Sequence, residues 1–219
     1  MLQDHKWFIA VLLVGSTFYI YNAFYRRKRI STPVQINMRY PIHSLSDLNL
    51  PLADQPKNLT YLPIVRTNRQ LCGQKSLNLL FVVHSHWQNV GLRRKMRGRF
   101  RKLKLLTKKR TAALFVMGCP REQYQLQTLM AEHKTYNDIH IVNITESYHN
   151  ISLKARSWIY YVNSTCGNRI QYIVKLDDDV VFNPNLLLAL VERLTQEKNF
   201  VACRTFVAGV VTRNVNSKW

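Results

Sequence analysis

The sequence predicts an α/β fold built on a mainly parallel β-sheet, and three observations support this prediction. Four short, mainly apolar segments recur after residue 72, and those at 79–83 and 112–117 are continuous apolar runs. Such runs are typical of strands that are buried on both faces. Longer segments with helical character separate the runs, so strands and helices alternate along the chain. A cluster of three aspartates directly follows the last run, at the position where parallel sheets bind ligands.

The predicted elements follow in a regular order. The strands cover residues 79–83, 112–117, 139–142 and 170–176. The helices between them begin near Gly91 and cover about 122–132 and about 151–163. A last helix is predicted to begin at Asn183 and Pro184, because asparagine is a favoured N-cap and proline suits the first helical position.

The charge of the chain is strongly positive and is concentrated in one segment. Thirty-two lysines and arginines against 12 acidic residues give a net charge of +20, and residues 93–110 contain eleven basic residues and no acidic one. Apolar residues within this segment predict a basic amphipathic helix with one packed side. The excess favours nucleic acid, acidic lipid or phosphorylated ligands, or is a basic surface without a dedicated partner. A nucleic-acid-binding arm is usually more polar and terminal, which disfavours that hypothesis.

The first 71 residues are predicted to lie outside the globular domain, which covers 72–219. Residues 1–6 are a short cytoplasmic tail and residues 7–25 a transmembrane signal anchor, because the uncharged apolar run gives a helix of about 27 Å. A cleaved signal peptide is the alternative, although its apolar core is normally shorter. Residues 26–71 contain five of the seven prolines and no glycine, which predicts an extended stem.

Two features disagree about the side of the membrane on which the C-terminal part lies. Four basic residues follow the apolar run and one lysine precedes it, which favours the cytosol. Four glycosylation sequons favour the lumen, and they begin at Asn58, Asn143, Asn150 and Asn163. The cysteines are Cys72, Cys119, Cys166 and Cys203. They would form up to two disulfides in an oxidising compartment and would be buried thiols in the cytosol.

The aspartates Asp177, Asp178 and Asp179 are the strongest candidates for a functional site. Three adjacent carboxylates repel one another unless a cation lies among them, and carboxylate oxygens suit Mg²⁺ or Mn²⁺. Alternate residues of an extended chain point the same way, so Asp177 and Asp179 can act together while Asp178 faces elsewhere. A solvated acidic turn that caps a helix is the alternative interpretation.

Several segments of the sequence resemble one known family in the same order. The segment VKLDDDVVFNPNLLLALV is similar to the metal-binding segment of β-1,3-galactosyltransferases and β-1,3-N-acetylglucosaminyltransferases. The segments at 136–155 and 79–100 resemble two further motifs of this family, and VVTRNVNSKW resembles the segment after the metal site. The resemblance covers roughly Cys72 to Trp219. It implies a GT-A (Rossmann-like) sheet that binds nucleotide sugars, with helices on both faces.

The resemblance also implies roles for individual residues. Asp179 would be the principal ligand of Mn²⁺, with Asp177 as a further metal ligand and Asp178 as a donor-binding residue. The other donor-binding residues would be Ser85, Arg94, Arg97 and Lys154. Cys72 and Cys166 would form a disulfide. The predicted activity is inverting, metal-dependent transfer of galactose or an N-acetylhexosamine from a UDP-sugar to a glycan acceptor on a glycoprotein or glycolipid, in β-1,3 linkage.

The sequence departs from the family pattern in ways that limit this prediction. The usual Thr-Trp after the basic helix is Arg99-Phe100, and two usual acidic positions hold Asn143 and Glu146. The family continues beyond the position of Trp219 with acceptor-binding segments and the residue taken as general base, so no catalytic base is assigned. The expected location is the Golgi membrane as a single-pass type II protein. A truncated, catalytically inactive UDP-sugar-binding protein is the alternative function, and a basic nucleic-acid-binding protein is a third hypothesis.

Overall fold

The computed structural model describes residues 9–11, 42–44, 64–73, 76–107, 109–194 and 200–202. The strands are β1 (Ile9–Val11), β2 (Ile42–Ser44), β3 (Ile64–Arg66), β4 (Leu77–His84), β5 (Thr111–Cys119), β6 (Ile139–Thr145), β7 (Ile170–Asp177) and β8 (Phe200–Ala202). The helices are α1 (Val90–Leu106), α2 (Gln123–Tyr136), α3 (Ile151–Cys166) and α4 (Pro184–Arg193). The α/β fold is confirmed, since all four predicted strands and helices are present, each longer than predicted or shifted by a residue or two.

The main sheet has six strands in the order β1-β7-β4-β5-β6-β3. The pairs β1–β7, β7–β4, β4–β5 and β5–β6 are parallel, and β3 pairs with β6 in the antiparallel direction at the edge. β2 and β8 form a separate antiparallel pair. The edge strand β3 lies within the segment that was predicted to be stem, because a three-residue strand is too short to show a periodic signal.

Helices cover both faces of the sheet, as the resemblance implied. On one face α1, α2 and α4 pack against alternate residues of the strands, with Met96, Phe100, Leu129 and Leu187 in one continuous cluster. On the other face α3 contributes Trp158, Tyr161 and Val162. Neighbouring residues of β4, such as Phe81 and Val82, therefore belong to different cores, which explains why this strand has no polar position between Leu79 and Val83.

Most of the predicted transmembrane segment and stem lie outside the described residues, as do Asn58 and Cys203. Of residues 7–25 the structure describes only β1, which lies beside β7 in the sheet. None of the helices in the described ranges is long and apolar enough to cross a membrane.

A disulfide joins Cys72, just before β4, to Cys166 at the end of α3. This is the pairing that the family resemblance implied. The two Cα atoms are 5.5 Å apart and the bond closes a segment of 94 residues. Both cysteines are buried in the core between α3 and the sheet, whereas Cys119 is a free, half-buried thiol whose pKa is raised by burial.

Replacing both Cys72 and Cys166 with serine should lower the free energy of unfolding by about 2–5 kcal/mol, because a long closed segment restricts the unfolded chain. Chemical denaturation of the purified chain measures this loss. Cys119→Ser is the matched control and should change stability by less than about 1.5 kcal/mol. Equal losses in the two variants would contradict a stabilising disulfide.

His140 of β6 lies wholly buried beneath α3, with both ring nitrogens occupied. Its Nδ1 is 2.9 Å from Thr67 Oγ1 and its Nε2 is 2.9 Å from Ser157 Oγ. Burial lowers the pKa of His140 from 6.5 to about 4. The folded protein therefore holds the ring neutral, while the unfolded chain takes up a proton as the pH falls below 6.5.

Because of this proton uptake, the free energy of unfolding of the wild type should fall relative to that of His140→Gln as the pH falls from 6.5 to about 4. Between pH 6.5 and pH 5 the difference should change by about 2 kcal/mol, since each pH unit is equivalent to about 1.4 kcal/mol for one proton. Denaturant titrations of both proteins at pH 7, 6 and 5 give the difference. A stability difference that does not vary with pH would show that His140 binds its proton equally well in both states.

Candidate functional site

The carboxyl ends of β4 and β7 form the switch point of the sheet. From β4 the chain passes through α1 to β5 on one side, whereas β7 lies on the other side of β4. In parallel sheets such a point leaves a crevice where ligands bind. His84 is in register with Asp177, and the backbone N–H of Asp178 donates to the carbonyl of His84 over 3.1 Å. The aspartate cluster therefore lies at the switch point.

Asp178 is the buried member of the aspartate cluster. One of its carboxylate oxygens, Oδ2, accepts hydrogen bonds from Ser85 Oγ at 2.6 Å and from Asn89 Nδ2 at 3.0 Å. Asp178 is only 8% exposed, while Asp177 and Asp179 are exposed. Asp178 thus differs from its neighbours as the alternation of side chains predicted. Two of the predicted donor-binding residues, Ser85 and Asp178, are in direct contact.

Arg93 holds the loop after β4 in place, although no sequence motif distinguishes it from the neighbouring arginines. Its side chain is completely buried. It donates to Ser85 Oγ at 3.1 Å and to the carbonyls of His86 and Trp87 at 2.7 and 3.1 Å. It also forms a two-point ion pair with Glu132 of α2, at 2.9 and 2.6 Å. Arg93 therefore positions Ser85 without being exposed to a ligand.

The helical period could have identified Arg93 from the sequence. It lies three residues before Met96 and seven before Phe100, so it shares their packed side. Arg94, which was predicted to bind the donor, is exposed on the opposite side of the same turn.

Arg97 does not lie with Ser85 and Asp178. It forms ion pairs with Glu132 and Asp138, each at 2.7 Å. Its guanidinium stacks on the ring of Tyr136 at 3.9 Å. These contacts tie α1 to α2 and to the start of β6, so the structure gives Arg97 partners other than a bound diphosphate.

Lys154 of α3 is buried and, together with Glu146, links the carboxyl ends of β4, β5 and β6. Its Nζ is 2.6 Å from Glu146 Oε1 and 3.3 Å from the carbonyl of Ser85. The other oxygen of Glu146 accepts from the backbone N–H of Gly118 at 2.7 Å. A Cβ at Gly118 would lie 2.8 Å from the carbonyl oxygen of Ile144, so only glycine allows this close approach. Lys154 therefore lies beside Ser85 and already carries a carboxylate partner.

Asp177 and Asp179 are the two carboxylates that the edge of the sheet presents to solvent. Asp177 Oδ1 pairs with Lys175 Nζ at 2.7 Å, and its side chain is 53% exposed. Asp179 is exposed and has no hydrogen-bonding partner among the described residues. Arg99 donates to the carbonyl of Val180 at 3.2 Å and so ties α1 to the loop after the cluster. Arg99 is the residue at which the family resemblance implied a threonine.

Asp177 and Asp179 suit a metal ion that the protein holds through only one or two side chains. Within the described ranges no three side chains of His, Cys, Asp or Glu form a closed metal cage. One or two exposed carboxylates suit Mg²⁺ or Mn²⁺, which keep several positions for water and for phosphate oxygens. The arrangement of Asp177 and Asp179 is therefore compatible with a metal that is completed by a diphosphate ligand.

His84 is buried beside the aspartate cluster with a neutral ring. Burial, followed by the positive charges of Lys175 and Lys154, lowers the pKa of His84 to about 2. Neither ring nitrogen has a hydrogen-bonding partner in the described part of the chain. A group with such a pKa is a weak base near neutral pH, so His84 does not suit proton abstraction from a hydroxyl.

Three of the four sequons lie in described elements. Asn143 in β6 and Asn163 in α3 are exposed. Asn150 lies just before α3, and its Nδ2 donates to the carbonyl of Thr145 at 2.8 Å. Attachment of a glycan at Asn150 would modify this nitrogen, whereas at Asn143 and Asn163 no described side-chain hydrogen bond would be affected.

A parallel-rich sheet with helices on both faces and carboxylates at its switch point fits the GT-A class of nucleotide-sugar-binding folds. A family model described as Galactosyltransferase matches residues 91–219, more than half of the chain. The chain belongs to the galactosyltransferase family.

Three similar proteins are consistent with this assignment. Beta-1,3-galactosyltransferase 4 of Mus musculus is 32% identical over 154 residues, which cover 68% of this chain and 41% of that protein. The protein of the same name in Rattus norvegicus is 31% identical over 154 residues, which again cover 68% of this chain and 41% of that protein. Beta-1,3-galactosyltransferase 1 of Homo sapiens is 28% identical over 109 residues, 49% of this chain and 33% of that protein. The chain thus matches less than half the length of these relatives.

Proposed function

We propose that the chain binds a UDP-sugar at the switch point and takes part in inverting transfer of a hexose to a glycan acceptor in β-1,3 linkage. The observation that supports this most is the aspartate cluster, with Asp178 fixed by Ser85 and Asn89 and with Asp177 and Asp179 exposed. Family membership supports glycosyl transfer in general. The hexose is galactose or an N-acetylhexosamine.

Asp179 and Asp177 would hold Mn²⁺ or Mg²⁺. Such an ion neutralises a bound diphosphate and stabilises the charge on the leaving group. Asp178, held by Ser85 and Asn89, fixes the backbone of the cluster so that the carboxylates on either side remain directed outward.

The cations around the switch point differ in how available they are to a donor. Arg94 is exposed on the first turns of α1, so it can contribute positive charge to a diphosphate without first breaking a described contact. Lys154 and Arg97 are paired with carboxylates. We therefore assign a direct donor contact to Arg94. Lys154 would act on the donor indirectly, because it positions Ser85. For Arg97 a donor contact requires the loss of an ion pair.

Transfer also needs a base that accepts the proton of the acceptor hydroxyl. At this edge of the sheet Glu146 is bound to Lys154, and His84 has a pKa of about 2. Neither suits this role. The alternative function is a catalytically inactive membrane-anchored protein that binds UDP-sugar.

We further propose that residues 7–25 anchor the chain in the Golgi membrane as a type II protein, with the disulfide and the sequons in the lumen. Such an anchor requires that Ile9–Val11 leave the position beside β7 that they have in this structure. The Cys72–Cys166 bond supports an oxidising compartment. Glycosidase treatment of the chain expressed in a secretory system tests this location, since a cytosolic chain would show no change in mass.

Asp179→Asn should lower the affinity for UDP in the presence of Mn²⁺ by roughly a hundredfold, because the change removes a charged metal ligand and keeps the shape of the side chain. Calorimetry with the full chain in detergent micelles, with and without Mn²⁺, measures the affinity. Glu122→Gln is the control, since it removes one negative charge from an exposed position before α2. Metal-dependent UDP affinity that is the same in Asp179→Asn and the wild type would refute the proposed site.

A second assay separates the two functions. Hydrolysis or transfer of labelled UDP-sugar by the wild-type chain supports the enzyme. Metal-dependent UDP binding without any turnover supports the binding protein.

A further inference from the structure

The solvent face of α1 carries cations that no described contact uses. Three basic residues of this helix have structural partners, namely Arg93, Arg97 and Arg99. The remaining ones are exposed, and together they are called the basic face: Arg94, Lys95, Arg101, Lys102 and Lys104. None of the five forms an ion pair with an acidic side chain in the described ranges.

The basic face is continuous along the helix. Seven residues are nearly two helical turns, so Arg101 lies two turns below Arg94 and Lys102 two turns below Lys95 on the same side. Gly98 lies between these pairs, and a Cβ there would meet no atom within 4 Å. The face therefore presents an open, positively charged strip over about three turns.

Two adjacent leucines end the strip. Leu105 is 83% exposed and is the most exposed large apolar side chain in the described part of the chain, and Leu106 is 58% exposed. Leu105 lies eleven residues, or about three turns, below Arg94 and thus on the side of the cations. The packed side of α1 is formed by other residues, such as Phe100 and Leu103, so these leucines have no described role in the core.

We propose that the basic face apart from Arg94, together with Leu105 and Leu106, docks on the surface of a lipid bilayer that contains acidic phospholipids. In the proposed type II orientation this surface is the lumenal leaflet. Cations near such a surface are attracted to the headgroups, and apolar side chains at an interfacial helix enter the acyl boundary. A soluble polyanion such as an acidic glycan or a nucleic acid would explain the cations, but it gives no role to two exposed leucines. The proposal does not depend on the proposed transfer activity.

Photolabelling tests this surface in the full chain. The protein is reconstituted into nanodiscs of neutral phospholipid, or of the same lipid with a third of acidic phospholipid. Both contain a trace of a phospholipid with a diazirine in its acyl chain. Labelling of residues 90–110 is measured by mass spectrometry. We expect several-fold more labelling in acidic than in neutral discs. No labelling of this segment in acidic discs would overturn the proposal.

Two matched variants test which feature of α1 is responsible. The first replaces Lys95, Arg101, Lys102 and Lys104 with glutamine. The second replaces four exposed cations elsewhere, Arg66, Arg69, Arg121 and Lys134, and so changes the net charge equally. Arg94 is left intact because of its proposed donor contact. Labelling of 90–110 should fall by at least tenfold in the first variant and stay within twofold in the second. Equal losses would show that overall charge, and not this face, attracts the bilayer.

The double variant Leu105→Gln, Leu106→Gln separates a bilayer from a soluble polyanion. It keeps every cation, so a soluble polyanion would bind it as it binds the wild type. We expect acyl-chain labelling to fall at least fivefold, whereas binding of a heparin oligosaccharide stays unchanged. Undiminished labelling in this variant would overturn the docking of the leucines, and heparin binding through the same face would then identify a soluble polyanion as the partner.

Discussion

Arg93→Ala should lower the free energy of unfolding by about 3–5 kcal/mol. The change leaves the Glu132 carboxylate without one of its two arginine partners in a nearly buried position, and breaking a buried ion pair has a cost of this size. It also removes the donors that hold Ser85 and the carbonyl of His86. Chemical denaturation of the full chain in micelles measures the change.

Arg94→Ala is the natural control for Arg93→Ala. The two arginines are adjacent and carry the same charge, but Arg94 is exposed, so its removal should change stability by no more than about 0.5 kcal/mol. Arg93→Lys should lie between the two, because lysine keeps the charge but loses the forked contact with Glu132. Similar losses from Arg93→Ala and Arg94→Ala would contradict the burial of Arg93.

Lys154→Met should have a comparable effect, about 3–5 kcal/mol, because it leaves Glu146 charged and buried at the edge of the sheet. The side chains of Lys154 and Glu146 are 5% and 6% exposed, so water cannot replace the lost partner. Thermal or chemical unfolding of the single variant measures the loss. Methionine keeps most of the volume of lysine, which limits the contribution from altered packing.

The double variant Lys154→Met, Glu146→Gln shows whether the two side chains act as a pair. Glutamine still offers an oxygen to the N–H of Gly118 but carries no charge. The double variant should therefore be about 2 kcal/mol more stable than the sum of the single losses predicts. Strictly additive losses would mean that the contact of 2.6 Å contributes nothing to the folded state, and Lys154 would then be available to a bound donor.

Local patterns in the sequence were sufficient for much of the fold. The continuous apolar run at 79–83 identified β4, because a strand segment buried on both faces rarely holds polar residues. The mainly apolar segment at 170–176 identified β7. Asn183 and Pro184 identified the start of α4, where the Asn183 side chain accepts from the N–H of Asn185 at 2.9 Å. The alternation of side chains distinguished Asp178 from its two neighbours. All of these signals depend on residues that are close in the chain.

Tertiary structure decided which cations belong to the site and which strands enclose it. Arg93, Arg94 and Arg97 have the same chemistry, and only the packing of α1 against α2 buries the first, exposes the second and pairs the third with Asp138. β3 became part of the sheet because β6 offered an unpaired edge. The hydrogen bond between Ser85 and Asp178 joins two residues that are 93 positions apart in the sequence. Contacts across such separations arise from strand order, which no local pattern of residues encodes.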